Sequence, residues 1–81
     1  MEELDPETTL LLCRIAKGLQ QMSASWPVRC RAFQALEHLA RDAGTAQYAS
    51  SYMAMIRVAH EETAVMQVLR PHLAALASKL H

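Results

Sequence analysis

The residues of this chain most able to do chemistry are a histidine and the two glutamates that follow it, His60-Glu61-Glu62. Di-iron sites in helical bundles use glutamate and histidine together, with the glutamate three residues before the histidine. Arg57 occupies that place here. We therefore interpret these residues as a polar surface turn of a helix, with Glu62 turned toward an apolar stripe.

Other metal ligands are also poorly spaced. No two histidines are four residues apart, the spacing that places two ligands on one helix face; they are His38, His60, His72 and His81. Cys30 and His38 can share a face, but two ligands do not make a site. We expect solvated histidines, and neither a metal nor a cofactor.

Nucleophilic catalysis needs a nucleophile, a base and an orienting group held together. The only cysteines, Cys13 and Cys30, lie inside helical patterns, where cysteine usually packs as a small apolar residue. No glycine-rich phosphate loop is present. We therefore expect that the chain is not an enzyme.

The stretch LARDAGTAQYASSYM, residues 39–53, suggests a different function. One helical pattern ends at Gly44 and another starts with Thr45, as in a helix-turn-helix whose reading helix would cover residues 46–60. Two antiparallel helices joined by a single glycine have the same pattern. A small DNA-binding regulator is therefore our alternative hypothesis.

Several features of the sequence do not fit a DNA-recognition motif. The motif needs branched apolar residues just after the turn and five positions later, where this chain has Thr45 and Ser50. Gln47, Ser50 and Ser51 suit contacts with bases, but no cation follows the turn until Arg57. Eight basic residues balance eight acidic ones, whereas nucleic-acid binders usually carry an excess of positive charge. We expect no nucleic-acid partner.

Length and composition predict one small helical domain, residues 1–81. The hydrophobic fraction is 52%, but much of it is alanine, and aromatic residues are few. Alanine favours helices while burying little area. A chain this short buries only roughly 60% of its unfolded surface, so a partner chain would help to complete the core.

Proline, serine and glycine residues mark the predicted boundaries of the helices that carry the residues discussed above. Asp5-Pro6 predicts a helix start, with Asp5 as the cap. We predict an all-α bundle of three to four helices over residues 6–24, 27–43 and 46–70, with a kink or break at Pro71 and a short helix over 71–80. Gly44 is expected to take a left-handed conformation and Thr45 to cap the next helix.

The first helix has an apolar stripe at spacings of three and four: Leu12, Ile15, Leu19, Met22 and Trp26. Gly18 lies within this helix at a cost of about 1 kcal/mol against alanine, which indicates a close approach by another helix. Leu10 to Cys13 cover more than one face. We expect one of these leucines to remain free for a partner.

The third segment carries the most regular pattern, which we call the long stripe. Its members alternate four and three residues apart: Tyr48, Tyr52, Met55, Ala59, Glu62, Met66, Leu69, Leu73, Leu76 and Leu80. Such a stripe is typical of a helix that packs along its whole length. Because its phase continues past Pro71, we expect residues 71–80 to dock on their own chain or on a partner.

These patterns favour a protein–protein interaction module, a small adaptor or chaperone-like protein that self-associates as a homodimer or binds a helical partner. The predicted partner-binding residues are Leu10, Leu12, Tyr48, Tyr52, Met55, Met66, Leu69, Leu73, Leu76 and Leu80. The acidic start is unlike a signal peptide, and no apolar run approaches the roughly 20 residues that cross a bilayer. We expect a cytoplasmic location and no membrane contact.

Overall fold

A computed structural model describes residues 5–80, which form a bundle of four helical units. The first three are α1 (Pro6–Gln21), α2 (Trp26–Asp42) and α3 (Tyr48–Glu61); the fourth joins α4 (Thr63–Leu69), a 3-10 turn (Arg70–His72) and α5 (Leu73–Ala77) without a gap. No β-strand occurs between residues 5 and 80. The predicted all-α class is therefore confirmed.

The start of α1 follows the prediction. The backbone N–H of Thr8 donates to the Asp5 carboxylate at 2.7 Å, and Pro6 occupies the first turn, where its missing N–H is not needed. The hydrogen bond from Thr8 also holds the pKa of Asp5 below its usual value. This cap fixes the register of α1 from its first turn.

The end of α1 is held by an arginine of α2. One terminal nitrogen of Arg29 donates to the carbonyl of Gln20 at 2.9 Å, and the other donates to Met22 at 2.9 Å. Carbonyls at the end of a helix have no partner within it, and they prefer a nearby cation. α1 ends at Gln21, three residues before the predicted boundary, because the chain turns here to bring Arg29 under these carbonyls.

The predicted continuous helix over residues 46–70 is wrong. Glu62 is extended, with φ −129° and ψ 109°, and it separates α3 from α4. A straight helix of that length would measure about 37 Å, whereas the whole bundle is 35 Å in its longest dimension. The bend at Glu62 instead lets α4 pack against α1. Arg31 of α2 forms ion pairs with Glu62 and with the preceding Glu61.

The core draws on all four units. Its fully buried large side chains are Ile15, Leu19, Leu39, Met55, Val65, Leu69 and Leu76. Trp26, predicted on the stripe of the first helix, is instead 72% exposed. It lies beyond the end of α1 and opens α2, so the periodicity of α1 no longer applies to it.

Residues 70–80, which we call the C-terminal segment, dock on their own chain, so the predicted docking is confirmed. The 3-10 turn accommodates Pro71 in its first positions. Beyond it, Leu76 is 1% exposed, and its carbonyl accepts a hydrogen bond from the buried Tyr48 hydroxyl at 2.8 Å. The segment is therefore part of the bundle and not an appendage.

Gly18 marks a close approach of α1 to α4, as predicted. A Cβ atom added at Gly18 would lie 2.7 Å from Cγ1 of Val68. Valine is stiff at χ1, so its methyl group cannot easily move away. The two backbones approach this closely only because residue 18 has no side chain.

We predict that Gly18→Ala lowers the free energy of unfolding, although alanine is the better helix former. The clash with Val68 should cost about 1–3 kcal/mol, against a propensity gain of about 1 kcal/mol. In a Val68→Ala background the same substitution should become stabilising. Urea unfolding of the wild-type chain, the two single variants and the double variant measures the change in unfolding free energy in each background. Stabilisation by Gly18→Ala in both backgrounds would contradict the close packing.

We predict that truncation after Arg70 abolishes cooperative folding. It removes Leu76 and the partly buried Leu73 and Leu80, each contributing roughly 2 kcal/mol to a total of roughly 5–15 kcal/mol. Thermal unfolding followed by circular dichroism measures the effect. Ala75→Ser, on the exposed side of the same segment, is the control; a truncated chain with an unchanged transition would show that the docked segment adds no stability.

Candidate interaction surface

Half of the predicted partner-binding residues lie in the core of their own chain. Leu12, Tyr48, Met55, Leu69 and Leu76 are all buried. Four of them belong to the long stripe, which packs against α1 and α2, and Leu12 lies on the inner face of α1. They pack within their own chain, and their contact with a partner stays a prediction.

The other half remain accessible. Leu10 is 50% exposed, whereas Tyr52, Met66, Leu73 and Leu80 are half-buried and pack against the core. Among these five, Leu10 offers the most side-chain surface. It also lies outside the long stripe, on the outer face of α1.

Leu10 borders a groove between the first half of α1 and the C-terminal segment, which we call the Leu10 groove. It has a volume of about 270 Å³, and its apolar lining comes from Leu10, Leu11, Pro71 and Ala75. Two helical walls with an apolar floor are the geometry that accepts a third helix. The groove exists because the C-terminal segment docks beside α1.

The charges around the Leu10 groove are mixed, with more cations than anions. Arg14 and Lys79 line it together with His72, while Glu7 is the carboxylate among its lining residues. Lys79 also lies near Asp5, whose carboxylate it stabilises electrostatically. An incoming segment that carries acidic side chains beside an apolar one would fit this lining.

A second groove runs along the other side of the C-terminal segment. It also measures about 270 Å³, and it lies between Leu80 and the connector from α2 to α3, with Gly44 and Ala49 among its lining residues. Lys79 lines both grooves. Lys79 and Leu80 therefore lie between α1 and this connector.

The connector itself confirms the predicted glycine turn. Gly44 has φ 81°, the left-handed conformation that favours glycine. The Thr45 hydroxyl accepts a hydrogen bond from the Gln47 backbone N–H at 3.2 Å, but the N-cap residue of α3 is Gln47. The prediction that Thr45 caps this helix is therefore wrong. α3 begins at Tyr48, two residues later than predicted.

The surface required for DNA reading is incomplete. Ser51 is buried and donates its hydroxyl hydrogen bond to Asp42 of α2. Hydrogen bonds from Arg41 and Ser51 hold the pKa of Asp42 below its usual value. Gln47, Ser50 and Arg57 are exposed, but Ser51 joins the two helices instead of facing outward with them.

Two apolar side chains that the sequence patterns did not assign to the surface are prominent there. Trp26 is 72% exposed at the start of α2, and Met53 is 56% exposed on the outer face of α3. The signal for Met53 was available, because it falls between the positions of the long stripe. The exposure of Trp26 could have been predicted from Pro27, because a proline at that position ends α1 before Trp26.

The chemically reactive residues are dispersed. Cys13 is exposed and Cys30 half-buried, while Glu61 and Glu62 are paired with Arg31. Among residues 5–80, no three histidine, cysteine, aspartate or glutamate side chains are grouped so that they could hold a metal ion. Within the same range, no helix has both the length and the apolar content to cross a membrane.

The chain matches no family model, no curated protein and no solved structure. Inferences about its function therefore depend on its own surface. The Leu10 groove is the part of that surface that combines an exposed apolar side chain, a concave shape and flanking charges.

Tyr48 lines the second groove with a side chain that is otherwise buried. Burial, together with the neighbouring Tyr52 ring at a centroid distance of 6.3 Å, raises the pKa of Tyr48 from 10.0 to about 12. The folded state therefore holds the phenolic proton more tightly than the unfolded chain does. The stability that this provides is complete below the unfolded pKa and is lost as pH rises toward the folded pKa.

We predict that Tyr48→Phe lowers the free energy of unfolding at neutral pH by about 1 kcal/mol, because the Leu76 carbonyl loses its donor. Above the ordinary tyrosine pKa the wild-type chain should lose stability faster than the variant, so the difference narrows. Urea unfolding between neutral pH and pH about 12 measures this difference. Tyr52→Phe is the control. A difference in unfolding free energy between wild type and Tyr48→Phe that does not change with pH would contradict a buried, hydrogen-bonded hydroxyl.

Proposed function

We propose that this chain is a protein–protein interaction module without enzymatic activity, a small adaptor or chaperone-like protein that self-associates or binds a helical partner. The observation that supports the proposal is the Leu10 groove, where a half-exposed leucine of α1 faces a groove formed with the C-terminal segment. A leucine at this position adds nothing to the core of its own chain. Its burial by a partner would remove apolar area from water.

The shape of the groove supports a helical partner over an extended one. An amphipathic helix places apolar residues into such a groove at spacings of three and four. An extended peptide usually adds to the edge of a sheet, and no strand occurs among residues 5–80. The flanking Glu7, Arg14 and Lys79 would determine the orientation and the specificity of a helix more than its affinity.

We predict that the chain associates between micromolar and millimolar concentration, or binds a model amphipathic helix built from leucine and glutamate. Sedimentation equilibrium measures self-association, and amide chemical shifts locate the affected surface in either case. Leu10→Ser should weaken both interactions. Met53→Ser removes an equally exposed side chain from α3 and is the matched control.

Two outcomes would overturn the proposal. One is that the chain stays monomeric at millimolar concentration and does not bind the model helix. The other is an interaction that Leu10→Ser leaves unchanged while Met53→Ser abolishes it, because the binding surface would then lie on α3. Tight, salt-sensitive binding to duplex DNA that is lost on Arg57→Ala would favour the helix-turn-helix alternative.

A further inference from the structure

The outer face of α1 carries an ordered charge pattern. Glu7, Leu10, Arg14 and Lys17 follow one another at spacings of three, four and three, so they form one stripe along the helix. All four are exposed. The carboxylate lies toward the start of α1, the two cations lie toward its end, and the leucine lies between them.

Such a stripe is complementary to itself when it is reversed. If two copies of α1 pack antiparallel, Glu7 of one copy lies opposite the cations of the other, and the same contacts repeat at the second end. In a parallel arrangement Glu7 would instead face the same carboxylate of the other copy. Charge complementarity therefore selects the antiparallel pairing.

We propose that the occupant of the Leu10 groove is a second copy of this chain, which packs α1 antiparallel against α1 about a two-fold axis. Leu10 lies against the aliphatic stem of the partner's Arg14, and Glu7 faces the partner's Lys17. This inference rests on the proposed function and names its partner.

The C-terminal segment completes the interface. Its Pro71 and Ala75 extend the apolar floor beside Leu10, and Lys79 adds a cation at the rim. Because only one large apolar side chain per copy is covered, the dimer is weak and its affinity falls as ionic strength rises.

The other exposed apolar residues do not specify a partner in this way. Arg29 is the only charged residue within four positions of Trp26 in the sequence, and its guanidinium is already bonded to carbonyls at the end of α1. Met53 shares its face with Ser50 and Arg57, which offer one cation and no matching carboxylate. Of the three exposed large apolar side chains among residues 5–80, Leu10 is therefore the one with self-complementary charges around it.

The test uses two variants of the full chain that cannot pair with themselves. Glu7→Lys makes the stripe entirely basic, and the double substitution Arg14→Glu/Lys17→Glu makes it entirely acidic. Each variant alone should dimerise about tenfold more weakly than wild type or worse, because attraction becomes repulsion at both ends. An equimolar mixture should recover an affinity at least equal to that of wild type, as a heterodimer.

Sedimentation equilibrium of each variant and of the mixture provides these affinities, and circular dichroism checks that the variants fold. All three positions are exposed, so the core is not altered. Arg57→Glu reverses an exposed cation of α3 and is the control, which should dimerise like wild type. Raising the salt concentration should weaken the wild-type dimer and the heterodimer alike.

The failures are distinguishable. A mixture that does not associate would overturn the antiparallel pairing, as would variants that each dimerise like wild type. In the latter case another surface mediates association, and the proposed interaction function would stand. A wild-type chain that is monomeric at millimolar concentration overturns the second copy as occupant, and the proposed function would then depend on binding of the model helix.

Discussion

The docking of the C-terminal segment is the constraint on which the rest of the structure depends. Leu76 is completely enclosed, and the buried Tyr48 hydroxyl finds its acceptor in the carbonyl of the same residue. A buried hydroxyl without a partner would cost more than its hydrogen bond contributes, so the position of the segment relative to α3 is fixed by a polar and an apolar contact together. The Leu10 groove and the second groove beside Leu80 are both bounded by this segment. The docking of the C-terminal segment therefore contributes both to the stability of the core and to the shape of the surface.

The remaining polar contacts act at the places where one helix passes to the next. Arg29 of α2 holds the last carbonyls of α1, Ser51 of α3 bonds Asp42 at the end of α2, and Arg31 of α2 pairs with the glutamates at the bend between α3 and α4. Small buried residues such as Ala32 and Ala59 let the helices approach closely but offer little area. Contacts at the helix ends thus orient the helices in addition to the apolar packing of the core.

Features encoded by single residues could be predicted from the sequence. The Asp5 cap, the left-handed Gly44 and the close approach at Gly18 each follow from what that residue type permits. The phase of the long stripe likewise predicted that the C-terminal segment docks. The bend at Glu62 could not be predicted, because periodicity records which face is buried but not whether the axis stays straight. For the same reason the predicted partner-binding residues were mostly members of the long stripe, four of which are buried in the core. Leu10, which lies outside that stripe, is half exposed.

The charge order along α1 is informative because the helix itself does not require it. A carboxylate such as Glu7 in the first turn is stabilised by the helix dipole. Arg14 and Lys17 have no such explanation, since α1 has no basic residue in its last turn and its terminal carbonyls are already held by Arg29. Neither cation is paired with a carboxylate in an ion pair among residues 5–80. Leu10, which lies between Glu7 and these two cations, is half exposed and contributes little to the core. An exposed leucine flanked by a carboxylate and by two cations that form no ion pair among residues 5–80 fits a contact with another helix better than a solvated face.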